Sequence, residues 1–235
     1  MEDIDAIAAL QDPVRRRLYE YVAAQGREVG RNEAAEAAGV ARTLAAHHLD
    51  RLTEAGLLES GSRRLTGRSG PGAGRPAKVY TRSRTERTLS LPARDYRTAA
   101  ELLAETVERA GLDAVLCAAA RRRGEALRAP AEPCASLEEA VELLAARGYE
   151  PHLEDTGGAG PAGDPEGASG TAARAVRMRN CPFHAVAERF PPLVCGMNLA
   201  LLEGLLGAAG AVRARMDARP GECCVVVEDS KNNDH

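Results

Sequence analysis

Three cysteine-bearing motifs crowd the later part of the chain: Cys181-Pro-Phe-His184, Leu193-Val-Cys195-Gly-Met-Asn198 and Gly221-Glu-Cys223-Cys224. Cys195 follows Cys181 by 14 residues and precedes Cys223 by 28. Such wide spacing differs from the tight paired-cysteine knuckle of a zinc ribbon and suits ligands that the fold gathers from a loop, a helix and a strand. Thiolates ligate iron–sulfur clusters and are also good zinc ligands. Cys195 is expected near a helix start, where the dipole favours a thiolate. Cys181 and His184 have Cys-x-x-His spacing, which keeps a Cys/His zinc site open as the alternative. Cys117, in the apolar run Ala114–Ala120, is read as a buried packing residue, and Cys134 has no assigned role.

A second constellation lies near the start. Gly39-Val40 makes a turn and Arg42 to Ala55 a helix whose Leu44, Ala45, Leu49, Leu52 and Ala55 face inward. Its outward positions are Arg42, Thr43, Ala46, His47 and Arg51. Arg42 can grip a guanine or a phosphate, and Thr43 a phosphate or a thymine methyl. Of the adjacent His47 and His48, only one can face outward. Arg63 to Tyr80 reads as a β-hairpin with a Gly/Pro/Arg tip, offering Arg68, Arg75 and Lys78 to phosphates or the minor groove. That tip lacks the following helix and the Lys-Ser/Thr ending of a nucleotide-binding loop. Between Arg42 and Arg87 ten basic residues stand against four acidic ones, although the whole chain is at −3. A basic stripe on a mildly acidic protein is the footprint of a DNA-binding face.

These residues need elements to hold them. Asp12-Pro13 starts one helix, burying Val14, Leu18, Tyr21 and Val22. Asn32 is expected to cap a second, and the helix from Arg42 is the third. With the hairpin they form a winged helix-turn-helix. Pro92 to Leu127 is predicted helical, with Tyr96, Ala99, Leu103, Thr106 and Ala110 on one stripe, a dimerisation or core helix. Ser136 caps a helix from Leu137 to Arg147. Strands follow at Tyr149–Glu154 and Ala173–Arg179, a helix at Leu193–Ala208, and a hairpin from Val212–Asp217 and Cys223–Glu228. Thr156–Gly170 reads as a mobile loop.

The predicted class is α+β in four segments. Residues 1–87 form the winged helix-turn-helix and 88–130 a helical dimerisation region. Residues 131–229 form an α+β cysteine-containing sensor domain, with a frayed tail at 230–235. At 235 residues with 44% hydrophobic and 28% charged content, the chain can bury a core in each domain. With no Trp and 3% aromatics, that core is built of Leu, Val and Ala. The acidic start, Met1-Glu-Asp-Ile-Asp5, is unlike a signal peptide, and no run of about 18 apolar residues is present. A cytoplasmic location without membrane contact is expected, and in that reducing compartment disulfides are not. An enzyme using Cys195 as nucleophile is disfavoured, because no oriented His/Asp partners can be named for it.

Taken together, Gly74-Arg-Pro-Ala-Lys-Val-Tyr80, Cys181-Pro-Phe-His184, Leu193-Val-Cys195-Gly-Met-Asn198 and the late cysteines resemble the Suf repressor family over nearly the whole chain. The resemblance implies a homodimeric winged-helix repressor of iron–sulfur assembly genes, bound to a palindromic DNA operator and carrying a [4Fe–4S] cluster. It implies Cys181, Cys195 and one of Cys223 or Cys224 as ligands. Neighbours on a strand point to opposite faces, so Cys223 is the first choice and Cys224 its alternative. His184, the other late cysteine, a carboxylate or a small molecule would complete the set.

Overall fold

The computed structural model describes residues 2–63, 76–90, 92–155 and 174–230. They divide into two compact units, Met1–Arg94 and Asp95–His235.

The first unit opens with α1 (Glu2–Ala9), a helix the sequence reading did not include, whose Ala6 is fully buried. Asp12 then caps α2 (Pro13–Gln25), its carboxylate accepting the N–H groups of Val14 at 2.8 Å and Arg15 at 3.0 Å. Such a cap contributes about 1 kcal/mol. β1 (Val29–Gly30) leads directly into α3 (Arg31–Ala38), so Gly30 is the N-cap and Asn32, expected as the cap, lies exposed inside the helix. Gly39 turns the chain at φ +65°, a conformation costly for a residue with a Cβ. α4 (Arg42–Glu54) follows.

β2 (Leu58–Arg63) and β3 (Ala77–Arg82) pair antiparallel in the order β1-β3-β2, with Ser60 opposite Tyr80. Leu18, Val22, Leu49, Leu52, Leu58 and Tyr80 fill the space between helices and sheet. Each buried Leu contributes about 1.5–3 kcal/mol. Leu44, expected to face this core, is instead 42% exposed, while its neighbour Ala45 is buried. The small alanine lets α4 approach the core there, and Leu44 points away with the outward residues. Arg68 and Arg75 lie outside the described residues.

In the second unit, the helical stretch foreseen from Pro92 to Leu127 is two helices, α5 (Tyr96–Arg109) and α6 (Asp113–Arg128), broken at Gly111 with φ +64°. The stripe of Tyr96, Ala99, Leu103, Thr106 and Ala110 is exposed. The neighbouring side of α5, at Ala104 and Val107, packs with Phe190, Leu193 and Val194. α7 (Leu137–Ala145) is capped by Ser136, which accepts from the Glu139 N–H at 3.2 Å.

β4 (Pro151–Asp155), β5 (Arg174–Met178), α8 (His184–Ala187), α9 (Pro191–Leu206), β6 (Val212–Met216) and β7 (Val225–Asp229) complete the chain. The strands form an antiparallel sheet ordered β4-β5-β7-β6, with Val176 opposite Val227. Leu144, Val176, Met178, Leu202, Leu205 and Val227 form its core. α6 lies against α9 with Gly124 and Gly204 at the crossing, where a Cβ on either would collide with the other helix's backbone. That contact makes α6 part of the second unit. The predicted loop from Thr156 and the tail beyond Ser230 fall outside the described residues. Among the described residues, no helix is long and apolar enough to cross a membrane.

Candidate nucleic-acid interface and thiol centre

On α4, Arg42, Thr43, His47 and Arg51 are exposed, and Ala46 is half-buried beside them. Arg42 forms no ion pair among the described residues, so its guanidinium is available to a base or phosphate, whereas Arg51 pairs with Glu54 at 2.9 Å. His48 turns inward. Its Nδ1 is buried without a hydrogen-bond partner, and burial pushes its pKa below the ordinary 6.5 despite nearby Asp12. The two imidazoles therefore divide as expected: His47 faces out and His48 faces in. Leu44 adds a large apolar side chain among the outward residues, which can meet a thymine methyl. Sequence reasoning missed it by placing Leu44 inward on its hydrophobicity, although helical periodicity sets it off the face of Ala45, Leu49 and Leu52.

Lys78, expected to contact phosphate, is already engaged. Its Nζ donates to Asp50 Oδ1 at 2.8 Å. The Tyr80 hydroxyl donates to the same oxygen at 2.6 Å and accepts from Arg31 Nε at 2.9 Å. Arg31 Nη2 donates to both Asp50 oxygens, at 3.1 and 3.2 Å. One carboxylate in the middle of α4 thus ties together the start of α3 and strand β3.

In the second unit, four of the six cysteines form one thiol group. Cys181 follows β5, Cys195 lies on α9, and Cys223 and Cys224 occupy the bend before β7. The thiols of Cys181 and Cys224 adjoin that of Cys223, and Cys224 also adjoins Cys195. Contact with Cys181, then with Cys224, lowers the Cys223 thiol below its usual range, while the same contacts, with burial, push Cys181 and Cys224 up. Cys223 and Cys224 lie just before β7, and both thiols join the group. Cys195 stands in the second turn of α9 rather than at its first residues.

His184 lies outside this group. Its side chain is 64% exposed and approaches Glu188 at 3.2 Å. Cys117 is half-buried, not buried as expected: its sulfur lies 3.7 Å from where a Cβ on Gly196 would stand. Cys134 is buried, its thiol donating to the Ser136 carbonyl at 3.4 Å. Among the described residues, no three His, Cys, Asp or Glu side chains surround a single point as ligands of one ion.

Asn198 completes the surroundings of Cys223. It is fully buried, donates Nδ2–H to the Cys223 sulfur at 3.4 Å and accepts the Tyr149 hydroxyl at 2.5 Å. Burial, with the neighbouring sulfurs, pushes the Tyr149 hydroxyl up and keeps it a donor. Neither residue was predicted as part of the site. The available signal was one Asn inside a mostly apolar helix, three residues after Cys195, where an unpaired amide is costly.

Comparison with known proteins bears on the first unit. Residues 10–61 match the family described as a helix-turn-helix domain. The chain carries the DNA-binding domain of a transcriptional regulator. The match spans α2, α3, α4 and most of β2, so the exposed face of α4 is the surface that such a domain presents to the major groove. No curated protein and no solved structure matches the chain.

Proposed function

We propose that this chain is a cytoplasmic, homodimeric transcription factor, not an enzyme, that represses iron–sulfur assembly genes and senses cluster status through a bound [4Fe–4S] cluster. The observation that carries the reading is the meeting of Cys181, Cys195, Cys223 and Cys224 in the unit that follows the helix-turn-helix. Four thiols drawn from separate segments to one place form a soft donor group of the kind that iron–sulfur clusters use. The motif resemblance to the Suf repressors points the same way. When bound, the cluster would supply a redox-labile tie among these segments. The four cysteines would hold it, while Asn198 donates to the Cys223 sulfur and Tyr149 fixes the orientation of the amide.

Operator binding resides in α4, with Arg42, Thr43, Ala46, His47 and Arg51 facing a half-site. The exposed stripe of α5 would bring two copies together so that they read a palindrome. Regulation requires that the cluster bind the operator-competent state more tightly than the other state.

The test is anaerobic purification followed by iron and acid-labile sulfide analysis, visible absorption, and selection of bound duplexes by holo and apo protein. About four irons and four sulfides per chain, with a selected palindrome released on cluster loss, are expected. Colourless protein holding stoichiometric zinc would overturn the cluster reading, and equal binding of all duplexes would overturn the operator reading.

A further inference from the structure

We propose that Asp50 is a mask on the DNA grip of the first unit: its carboxylate occupies Arg31 and Lys78, limiting attachment to duplexes of arbitrary sequence. The inference rests on the DNA-binding reading of this unit. Arg31 begins α3, Lys78 lies on β3, and Asp50 stands on α4 itself, so the two cations belong to the elements flanking the helix that enters the groove. Both converge on one carboxylate within 2.8–3.2 Å. They are also the groups best suited to phosphate, a guanidinium fork and an ammonium point charge. A carboxylate and a phosphate compete for the same donors. Each cation transferred to DNA would leave Asp50 less compensated, next to an incoming polyanion.

The arrangement is built, not casual. Tyr80 is fully buried, and its hydroxyl closes the triangle between Arg31 and Asp50. Burial alone would raise the Asp50 carboxyl, but hydrogen bonds from Lys78 and Tyr80 outweigh it and hold the group below the usual carboxylate range. The mask therefore stays charged at neutral pH. With Arg31 and Lys78 engaged, residence on DNA depends more on what Arg42, Thr43 and Leu44 read from the bases.

The experiment is a salt titration of full-length protein with an unrelated duplex, comparing wild type with Asp50→Asn. Asparagine keeps the shape and an oxygen for Tyr80 but loses the charge. The slope of log K against log salt should steepen by about one to two, near 0.9 for each phosphate newly neutralised. Affinity at physiological salt should rise about five- to thirtyfold by the same relation. Adding Lys78→Gln to Asp50→Asn should remove about half of the gain. A slope for Asp50→Asn equal to or below that of wild type, with circular dichroism unchanged, overturns the mask.

Should Asp50→Asn not fold, Lys78→Gln alone decides. A slope loss under about half of one phosphate contact supports masking, and loss of a full contact, about 0.9, overturns it. Wild-type protein that binds no duplex at any salt would overturn the DNA-binding reading instead.

Discussion

Asn198 and Cys223 are joined by an N–H···S hydrogen bond of 3.4 Å, and the amide is aimed by the Tyr149 hydroxyl on its other side. Removing that hydroxyl with Tyr149→Phe leaves Asn198 Oδ1 buried without its partner. Such a loss costs about 1–3 kcal/mol. Urea unfolding of the apo protein should show a lower midpoint with an unchanged slope. A midpoint identical to wild type would mean that the amide finds another donor and is not oriented by Tyr149.

The thiol group makes a prediction that differs from the one strand geometry suggested. Cys181→Ser, Cys195→Ser, Cys223→Ser and Cys224→Ser should each lose stoichiometric iron and sulfide, because serine is a poor ligand for soft iron–sulfide. Cys117→Ser and Cys134→Ser should retain both, since their sulfurs pack against Gly196 and Ser136. Full iron content in Cys224→Ser, with loss in Cys223→Ser, would restore the single-ligand choice read from strand alternation.

What was legible in the sequence follows from where local chemistry decides the outcome. Asp12-Pro13, Gly39 and Ser136 punctuate helices in ways independent of tertiary contacts, and all three act as read. Asn32 failed because β1 pairs with β3 and brings the chain into α3 two residues earlier, a long-range event. The exposure of the α5 stripe was invisible for a related reason: periodicity marks an apolar face without saying whether protein covers it. In the site, cysteine identity could be read directly, but the bend that turns both Cys223 and Cys224 inward could not. Asp50 is one of the acids opposing the basic stripe, and only the fold reveals that it holds Lys78 of that stripe together with Arg31.

The crossing of α6 and α9 should tolerate nothing larger than glycine. Alanine at Gly124 would improve helix propensity by about 1 kcal/mol. Its Cβ, however, would strike the Leu201 carbonyl and the Leu205 amide, which are backbone and cannot rotate aside. Overpacking of this kind costs about 1–3 kcal/mol, so the net effect is destabilising. Gly124→Ala should lower the unfolding midpoint of the second unit, and a higher midpoint would show that the helices separate freely.

A pH response of the first unit follows from His48. Burial holds its folded pKa below the ordinary 6.5, with Asp12 opposing the shift and His47 and Arg15 adding to it. The folded state then binds fewer protons than the unfolded one. The stability tied to neutral His48 is present above about 6.5 and is lost as pH falls from there through the lowered folded value. His48→Gln should flatten the fall in unfolding midpoint between about pH 7 and pH 5. An unaltered pH profile in that variant would place the acid sensitivity elsewhere.

The outward stripe of α5 carries the last prediction. Tyr96, Leu102 and Leu103 are 74%, 60% and 68% exposed in the single chain, while Ala104 and Val107 beside them are packed. An apolar face left open on a helix already anchored along its neighbouring side is a surface that a second copy can bury. Leu103→Glu places a charge in the middle of that stripe, where pairing would desolvate it. Sedimentation should show a dimer for wild type and a monomer for Leu103→Glu, with Leu103→Met remaining dimeric. The monomer keeps α4 intact and should therefore still bind duplex, but with the shallower salt dependence of one half-site rather than two. A Leu103→Glu protein that stays dimeric would move the twofold contact off this stripe.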